Sequence, residues 1–138
     1  MSSRDERGAL EHFRARYATP ATDVTKQIEA SVIGAAWGAN GYTTLDQAEE
    51  LARRLALRSG RRLLDVGTGR GWPGVYFASR YACDVVGTDM PFDALVAAAG
   101  RAATEHFDGR FAAVAAAGMH QPFRPGSFDA IVHTDVLC

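Results

Sequence analysis

The chain has 138 residues, which suits a single domain, and 47% of them are hydrophobic, enough to build a core. Its net charge of −1 argues against a nucleic acid or an anionic membrane as a partner. The charged N-terminus has no apolar signal-peptide core, and no run is long enough to span a membrane, so we expect a cytoplasmic protein. Its two cysteines, Cys83 and Cys138, lack metal-ligand spacing, and neither a metal site nor a disulfide framework is predicted.

Residues 1–43 are predicted to form a helical extension or lid ahead of the main domain. A short helical tendency surrounds Leu10 and Phe13. A longer helix is predicted from Thr22 to Ile33, because three apolar residues recur on one face: Val24, Ile28 and Val32. The glycines of "GAAWGANGY" then end regular structure.

The main domain, residues 44–138, begins with a well-marked helix. Thr44 and Gln47 have the spacing of a capping box, in which each side chain satisfies a backbone N–H at the helix start. The predicted buried stripe of this helix consists of Leu45, Ala48, Leu51 and Leu55. Gly60 is the predicted stop, since glycine readily adopts the left-handed conformation that ends helices.

Strands and helices alternate in the rest of the chain. Strands are predicted at Leu63–Val66, Asp84–Met90, Arg110–Ala116 and Phe128–Cys138. Helices are predicted between them at Pro73–Tyr81 and Asp93–Phe107. This alternation predicts an α/β fold with a Rossmann-like, doubly wound parallel sheet. Ligands of such sheets bind at the carboxyl ends of the strands, so we expect the functional site there.

The segment "LLDVGTGRGWPG", from Leu63 to Gly74, places a glycine loop after the first strand. No Gly-Lys-Ser/Thr follows it, which excludes a Walker A loop. A dinucleotide-binding loop would need a third glycine where Trp72 stands, and an indole there obstructs a pyrophosphate. Asp89, at the end of the second strand, can accept hydrogen bonds from both hydroxyls of a ribose. Glycines and acid together favour an adenosyl ligand that need not carry phosphate.

Three ordered segments carry a resemblance to a known family: "LLDVGTGRGWPG", "VVGTDMP" and "QPFRPGSFDAIVHTDVL". They resemble motifs of class I S-adenosylmethionine-dependent methyltransferases. They are most similar to the methyltransferase type 11 group, the branch of ubiquinone- and menaquinone-biosynthesis enzymes. The resemblance covers residues 45–138 and implies S-adenosyl-L-methionine as the cofactor.

The resemblance also implies a role for each residue that matches the family motifs. The residues that would line the methionine portion of the cofactor and form the backbone turn are Asp65, Gly67, Thr68, Gly69 and Gly71. Asp89 would bind the ribose hydroxyls, and Met90 would lie against the adenine. The family usually has a polar side chain for the adenine amino group where this chain has Ala117. Backbone groups of Gly118 and Met119 would then make the adenine contacts.

Methyl transfer from a sulfonium is an in-line displacement, which depends mainly on aligning the acceptor, the methyl group and the sulfur. A general base is needed only if the acceptor must lose a proton as it reacts. His133 and Asp135 are the candidates, because strand alternation would place both on one face near the site. Tyr42 could reach the cofactor or the substrate, and His120 lies in the loop expected to cover the adenine. The implied acceptor is a small molecule, and its methylated atom is open.

In the family that the chain resembles, the fourth strand lies in the middle of a larger sheet. We therefore expect a partial domain, the cofactor-binding half, whose exposed fourth strand promotes self-association and which has little activity alone. Two alternatives stay open. One is a NAD(P)- or flavin-dependent oxidoreductase on a similar sheet, and the other is a non-catalytic module that keeps a relic of the cofactor pocket.

Overall fold

A computed structural model of the chain describes residues 4–39, 41–106 and 110–136. Three helices come first: α1 (Arg4–Ala18), α2 (Asp23–Ile33) and α3 (Leu45–Arg54). The alternating part then follows as β1 (Arg62–Val66), α4 (Gly74–Tyr81), β2 (Asp84–Asp89), α5 (Phe92–Thr104), β3 (Arg110–Ala115) and β4 (Ala130–His133). Every predicted helix and strand is therefore present, with shifted ends. Within the described residues, no helix combines the length and the apolar composition that crossing a membrane requires.

The four strands form one parallel sheet in the order β3-β2-β1-β4. The Rossmann-like α/β fold that the sequence predicts is thus confirmed. Strand β1 lies in the interior of the sheet, between β2 and β4, and the glycine loop leaves its carboxyl end. In register with the last residue of β1, Val66, are Thr88 of β2 and His133 of β4. The loop is therefore flanked on both sides by strand ends.

A cluster of buried apolar side chains lies on one face of the sheet. Leu63 of β1 and Val85 of β2 are in register on that face, Val132 of β4 lies on the same face opposite Asp65, and all three apolar side chains are buried. Against them pack residues of the helices, among them Ala48 of α3 and Phe77 of α4, both fully buried. The opposite face carries apolar side chains that lie outside this cluster, including Ile131 of the edge strand β4, which is 59% exposed.

Helix α3 begins as predicted and ends earlier. The Thr44 hydroxyl accepts a hydrogen bond from the Gln47 amide, and the Gln47 side chain accepts one from the Thr44 amide. The helix ends at Arg54 and not near Gly60, because the chain turns so that Leu57 can enter the core. The Leu57 amide donates to the Ala52 carbonyl at 3.0 Å, which closes this turn.

Two other predictions are corrected. The fourth strand was predicted over 128–138, but β4 ends at His133 and Asp135 has a left-handed φ of 57°. Residues 137–138 lie outside the described part, as does the predicted end of α5 at Phe107. The apolar stripe of α2 faces solvent, and each of its three side chains is more than half exposed: Val24, Ile28 and Val32. That helix is held instead through Ile33 and Glu29 on another face.

Candidate functional site

The glycine loop, residues 67–73, is tied to strand β2 by main-chain hydrogen bonds. The amides of Gly67 and Thr68 both donate to the Thr88 carbonyl, over 2.7 and 3.0 Å. The loop glycines have positive φ angles, which residues with a Cβ adopt only at a cost: Gly67 at 77°, Gly69 at 53° and Gly71 at 98°. The alternating glycines of the sequence therefore correspond to three left-handed positions in one turn.

A cavity of about 370 Å³ lies over this loop at the carboxyl ends of β1, β2 and β4. Small-molecule and cofactor sites are roughly 300–1,000 Å³ in volume. The loop contributes much of the lining, namely Gly67, Thr68, Gly69, Arg70 and Trp72. Asp89 and the residues after β4, Thr134 to Val136, line the neighbouring walls. This is the edge of a parallel sheet at which ligands bind.

Asp89 faces the cavity with both carboxylate oxygens already oriented. Its Oδ2 accepts a hydrogen bond from the Gly69 amide at 2.8 Å, and its Oδ1 accepts one from the Met90 amide at 2.8 Å. Burial raises the pKa of this carboxyl, and the two amides act in the opposite direction. A carboxylate offers about four acceptor positions, so about two are left for the hydroxyl groups of a ligand.

Asp65 lies behind the glycine loop and is absent from the cavity lining. It is fully buried, and its Oδ2 accepts a hydrogen bond from the Thr68 hydroxyl at 2.7 Å. A Cβ at Gly74 would lie 2.5 Å from this oxygen, so only glycine lets α4 start so close to the acid. Burial raises the pKa of Asp65 to about 7, and the charge of Asp89 adds to the rise. Asp65 was expected to line the methionine portion of the cofactor. Its carboxyl instead lies behind the glycine loop and supports it.

One wall of the cavity is formed by a segment that we call the strap, residues 37–43 without residue 40. Glu29 of α2 holds it, because Oε1 of this carboxylate accepts hydrogen bonds from the amides of Trp37 and Ala39, each at 2.8 Å. Arg101 of α5 donates to the Trp37 carbonyl at 2.8 Å and lies over the Trp37 indole. Two helices that are distant in sequence therefore fix the start of the strap.

Thr43 fixes the other end of the strap. Oδ2 of Asp135 accepts hydrogen bonds from the Thr43 amide at 3.1 Å and from the Thr43 hydroxyl at 2.8 Å. A Cβ at Gly41 would overlap this carboxylate, so the strap approaches Asp135 where it has a glycine. Asp135 thus lines the cavity and also anchors the strap.

Trp72 is 5% exposed and connects the glycine loop to the strap. Its indole packs against the rings of Trp37 and Tyr76, with centroids 5.6 and 5.4 Å away. Its Nε1 donates to the Thr43 carbonyl at 3.0 Å. The position that holds a glycine in dinucleotide-binding loops is therefore occupied here by a packing residue.

Helix α1 borders the cavity through Phe13 and Tyr17. Nη2 of Arg70, in the glycine loop, donates to the Tyr17 carbonyl at 2.8 Å and to the Thr19 carbonyl at 3.1 Å. No sequence signal indicated that Phe13, Tyr17 or Arg70 belongs to the site. Tyr17 and Arg70 are 53 positions apart, and no local pattern links them.

The other predicted residues, Asp135 apart, lie outside the cavity lining. Tyr42 is 81% exposed and borders, with His133, an open outer groove of about 710 Å³. Asp135 borders both the cavity and this outer groove, whereas His133 borders only the groove. The two candidates do not share a strand face as predicted, because β4 ends at His133 and the chain turns at Asp135.

The expected adenine contacts lie at the neighbouring strand ends. Asp89 is in register with Ala115, and the Ala116 amide donates to the Asp89 carbonyl at 3.0 Å, which brings the segment after β3 beside Met90. The side chain of Met119 is 86% exposed, and Gly118 and His120 are exposed too. Across the described ranges, no group of three or more His, Cys, Asp or Glu residues is arranged to hold a metal ion.

Comparison with known proteins shows the family to which the chain belongs. Residues 63–138 match the family model described as a methyltransferase domain. Methyltransferase GfsG of Streptomyces halstedii is 34% identical over 83 residues, which are 60% of this chain and 30% of that protein. The 27-O-demethylrifamycin SV methyltransferase of Amycolatopsis mediterranei (strain S699) is 32% identical in an alignment of 115 residues that covers 74% of this chain and 42% of that protein. The chain thus spans less than half of either relative.

A solved structure has the same fold over most of the chain. It is phosphoethanolamine N-methyltransferase 2 of Haemonchus contortus, in complex with phosphomonomethylethanolamine and S-adenosylhomocysteine. The TM-score is 0.67 at 25% identity, and the match covers 90% of this chain and 29% of that one. The family model alone covers more than half of the 138 residues. The chain belongs to the methyltransferase domain family.

Proposed function

We propose that this chain is the cofactor-binding part of an S-adenosyl-L-methionine-dependent methyltransferase that acts on a small molecule. The observation that carries the proposal is the Asp89 carboxylate, held against the Gly69 amide at the wall of the cavity. Membership of the methyltransferase domain family and the S-adenosylhomocysteine held by the Haemonchus relative support it. The narrower branch of ubiquinone-like enzymes stays a prediction from the sequence motifs.

The residues around the cavity fit an adenosyl ligand. Asp89 keeps acceptor positions for two ribose hydroxyls, and the left-handed Gly67 and Gly69 present backbone without side chains to the ligand. Thr68 lines the cavity next to these glycines, so the methionine portion of the cofactor would lie on the glycine loop. The adenine would extend toward Met90 and the backbone of Gly118 and Met119 at the neighbouring strand ends. The division into a lid over residues 1–43 and a cofactor domain over residues 44–138 belongs to this proposal.

S-adenosyl-L-methionine, when bound, supplies a methyl group on a positively charged sulfur. The task of the chain's own residues is to orient that cofactor and to exclude water. Trp72, Phe13 and Tyr17 give the cavity its apolar boundary. Asp135 holds the strap through two hydrogen bonds from Thr43, and we assign it this positioning role in place of a general base.

The acceptor is proposed to be a small molecule that enters from the outer groove. This groove adjoins the cavity at Thr134 and Asp135, and His133 and Tyr42 border it. The names of the Amycolatopsis and Haemonchus relatives specify small molecules as their substrates, which supports the same class here. His133 would contact the acceptor and not the cofactor.

The oxidoreductase alternative is disfavoured by Trp72. Its indole packs between the strap and α4, so the loop has no glycine where a pyrophosphate would approach. The non-catalytic alternative differs from our proposal only in turnover. It predicts that the cofactor binds and that no methyl group leaves it in the presence of any acceptor.

The experiment is a calorimetric titration of the 138-residue chain with S-adenosylhomocysteine. We expect saturable one-to-one binding. Asp89→Asn should weaken it by about 10- to 100-fold, because hydrogen bonds to a charged group contribute roughly 1.5–3 kcal/mol each. Asp84→Asn is the matched control, an aspartate at the opposite end of the same strand that pairs with Arg110. Equal affinity of both variants, or preferential binding of NAD by the wild type, would contradict the proposal.

We extend the proposal to location and assembly. A cytoplasmic protein without nucleic-acid partners agrees with the net charge of −1. Self-association through β4 is supported by the position of this strand at the edge of the sheet and by the exposure of Ile131. Sedimentation velocity over a range of concentrations tests the last point, and a single monomeric species throughout would refute it.

A further inference from the structure

Arg70 leaves the glycine loop and reaches the C-terminal end of helix α1. Its Nη2 donates to the carbonyls of Tyr17 and Thr19, over 2.8 and 3.1 Å. The last carbonyls of a helix have no partner within it, and they carry the negative end of the helix dipole. A guanidinium placed there therefore satisfies acceptors that α1 itself leaves open.

The same arginine packs against two parts of the cavity wall, α1 and the strap. Its guanidinium carbon lies 5.4 Å from the centroid of the Tyr17 ring. Its Cδ lies 3.2 Å from where a Cβ of Gly38 would stand, so glycine in the strap makes room for the arginine stem. Next to it in the loop, a Cβ at Gly69 would lie 2.7 Å from the Tyr17 hydroxyl. Loop, strap and α1 thus meet at Arg70.

Helix α1 packs against α5 and borders the cavity, but its described side chains are only shallowly placed. Among its residues whose side chains are described, none is buried, and Phe13 is 43% exposed although it borders the cavity. Apolar burial is the main source of stability for a packed helix, and α1 has little of it. The two hydrogen bonds of Arg70 therefore add a specific polar link to this shallow packing.

We propose that Arg70 is a positioning residue that fastens α1 over the cavity, so that closure of α1 and occupancy of the cavity reinforce each other. The second half of this statement rests on the proposed function, since the ligand considered is S-adenosylhomocysteine. A ligand in the cavity contacts the glycine loop on one side and Phe13 and Tyr17 on the other. It binds the closed arrangement more tightly than an open one, and this difference in affinity shifts the population toward closure.

The experiment is hydrogen–deuterium exchange of the full 138-residue chain, followed over residues 10–19, without ligand and with saturating S-adenosylhomocysteine. Arg70→Met keeps the bulk of the side chain and removes its charge and donors. We expect about tenfold faster exchange over residues 10–19 in this variant without ligand, because hydrogen bonds from a charged donor are lost. Arg70→Lys should lie between the variant and the wild type, since an ammonium can donate to one of the two carbonyls.

A matched control is Arg80→Met, which removes an arginine that also lies over a tyrosine ring, on α4 at Tyr81. It should leave the exchange of residues 10–19 unchanged. In the wild type the ligand should slow this exchange further, and Arg70→Met should weaken ligand binding at least about fivefold, the lower end of usual coupling between sites.

The two hypotheses fail in different ways. If the wild type binds no S-adenosylhomocysteine, the proposed function fails, and the fastening of α1 is still judged by the exchange without ligand. If Arg70→Met leaves the exchange of residues 10–19 as slow as in the wild type, the fastening role is wrong. If it speeds exchange and ligand affinity does not change, closure is independent of occupancy and the coupling is wrong.

Discussion

The indole nitrogen of Trp72 donates a buried hydrogen bond to the main-chain carbonyl of Thr43 across 3.0 Å. This bond joins the glycine loop to a segment 29 residues earlier in the chain, at the point where Asp135 also holds Thr43. The tryptophan that departs from the dinucleotide-binding pattern is thus a structural part of the cavity. Removing it should affect stability before it affects any ligand.

Trp72→Phe should lower the free energy of unfolding by about 1–3 kcal/mol, because the Thr43 carbonyl would lose its buried donor. Trp72→Ala should cost more, about 3–5 kcal/mol, since a cavity is added. Urea unfolding followed by circular dichroism measures both. Phe92→Ala is the control, an aromatic residue that is mostly exposed and should change stability by less than about 0.5 kcal/mol. A phenylalanine variant as stable as the wild type would show that the bond contributes nothing.

Gly71→Ala should destabilise the fold more than Gly126→Ala. Both glycines have positive φ, 98° and 75°, so each alanine incurs backbone strain of roughly 1–2 kcal/mol. At Gly71 the new Cβ would also lie 2.6 Å from Cγ2 of Val75, whereas nothing lies within 4 Å at Gly126. The difference between the two unfolding free energies isolates the packing effect. Equal losses would mean that α4 shifts without cost.

The pH dependence of stability should report Asp65. Burial raises its folded pKa from 3.8 to about 7, so the protonated acid favours the folded state. Its contribution is complete below pH about 4 and is lost as the pH rises toward 7. Between these limits the wild type should lose on the order of 2–4 kcal/mol that Asp65→Asn does not lose. The pKa of Asp89 is also raised, so the stability of Asp65→Asn should still fall somewhat as the pH rises.

Urea unfolding at a series of pH values measures these slopes. Asp46→Asn, an exposed aspartate in the first turn of α3, should keep the slope of the wild type. Parallel curves for Asp65→Asn and the wild type would mean that the buried acid is solvated or paired in the folded protein.

Local sequence signals predicted much of the fold correctly. The capping box of Thr44 and Gln47 involves residues close together in sequence. Strand β1 has a short apolar run that is followed at once by the glycine loop. The place of the site followed from the rule for parallel sheets. The position of Asp89 at the end of β2 was also predicted, whereas its hydrogen bond from the Gly69 amide is seen only in the structure.

Contacts between distant segments were not predictable in this way. The α2 stripe led by Val24 shows the helical period, but a period does not reveal whether another element covers that face. Alternation predicted one face for His133 and Asp135, and this fails once the strand ends between them. The reach of Arg70 to Tyr17 depends on how the N-terminal helices fold back, which no spacing in the sequence encodes.

The double hydrogen bond of the Gly67 and Thr68 amides to the Thr88 carbonyl has a kinetic consequence. The two bonds tie the loop to β2, an interior strand of the sheet, so we expect these amides to open less often than those of α1, none of whose described side chains is buried. On this view the glycine loop stays in place while a ligand exchanges, and α1 is the part of the cavity wall that moves. The residence time of a bound molecule would then depend on how often α1 moves away from the cavity, and much less on movement of the glycine loop that binds the molecule.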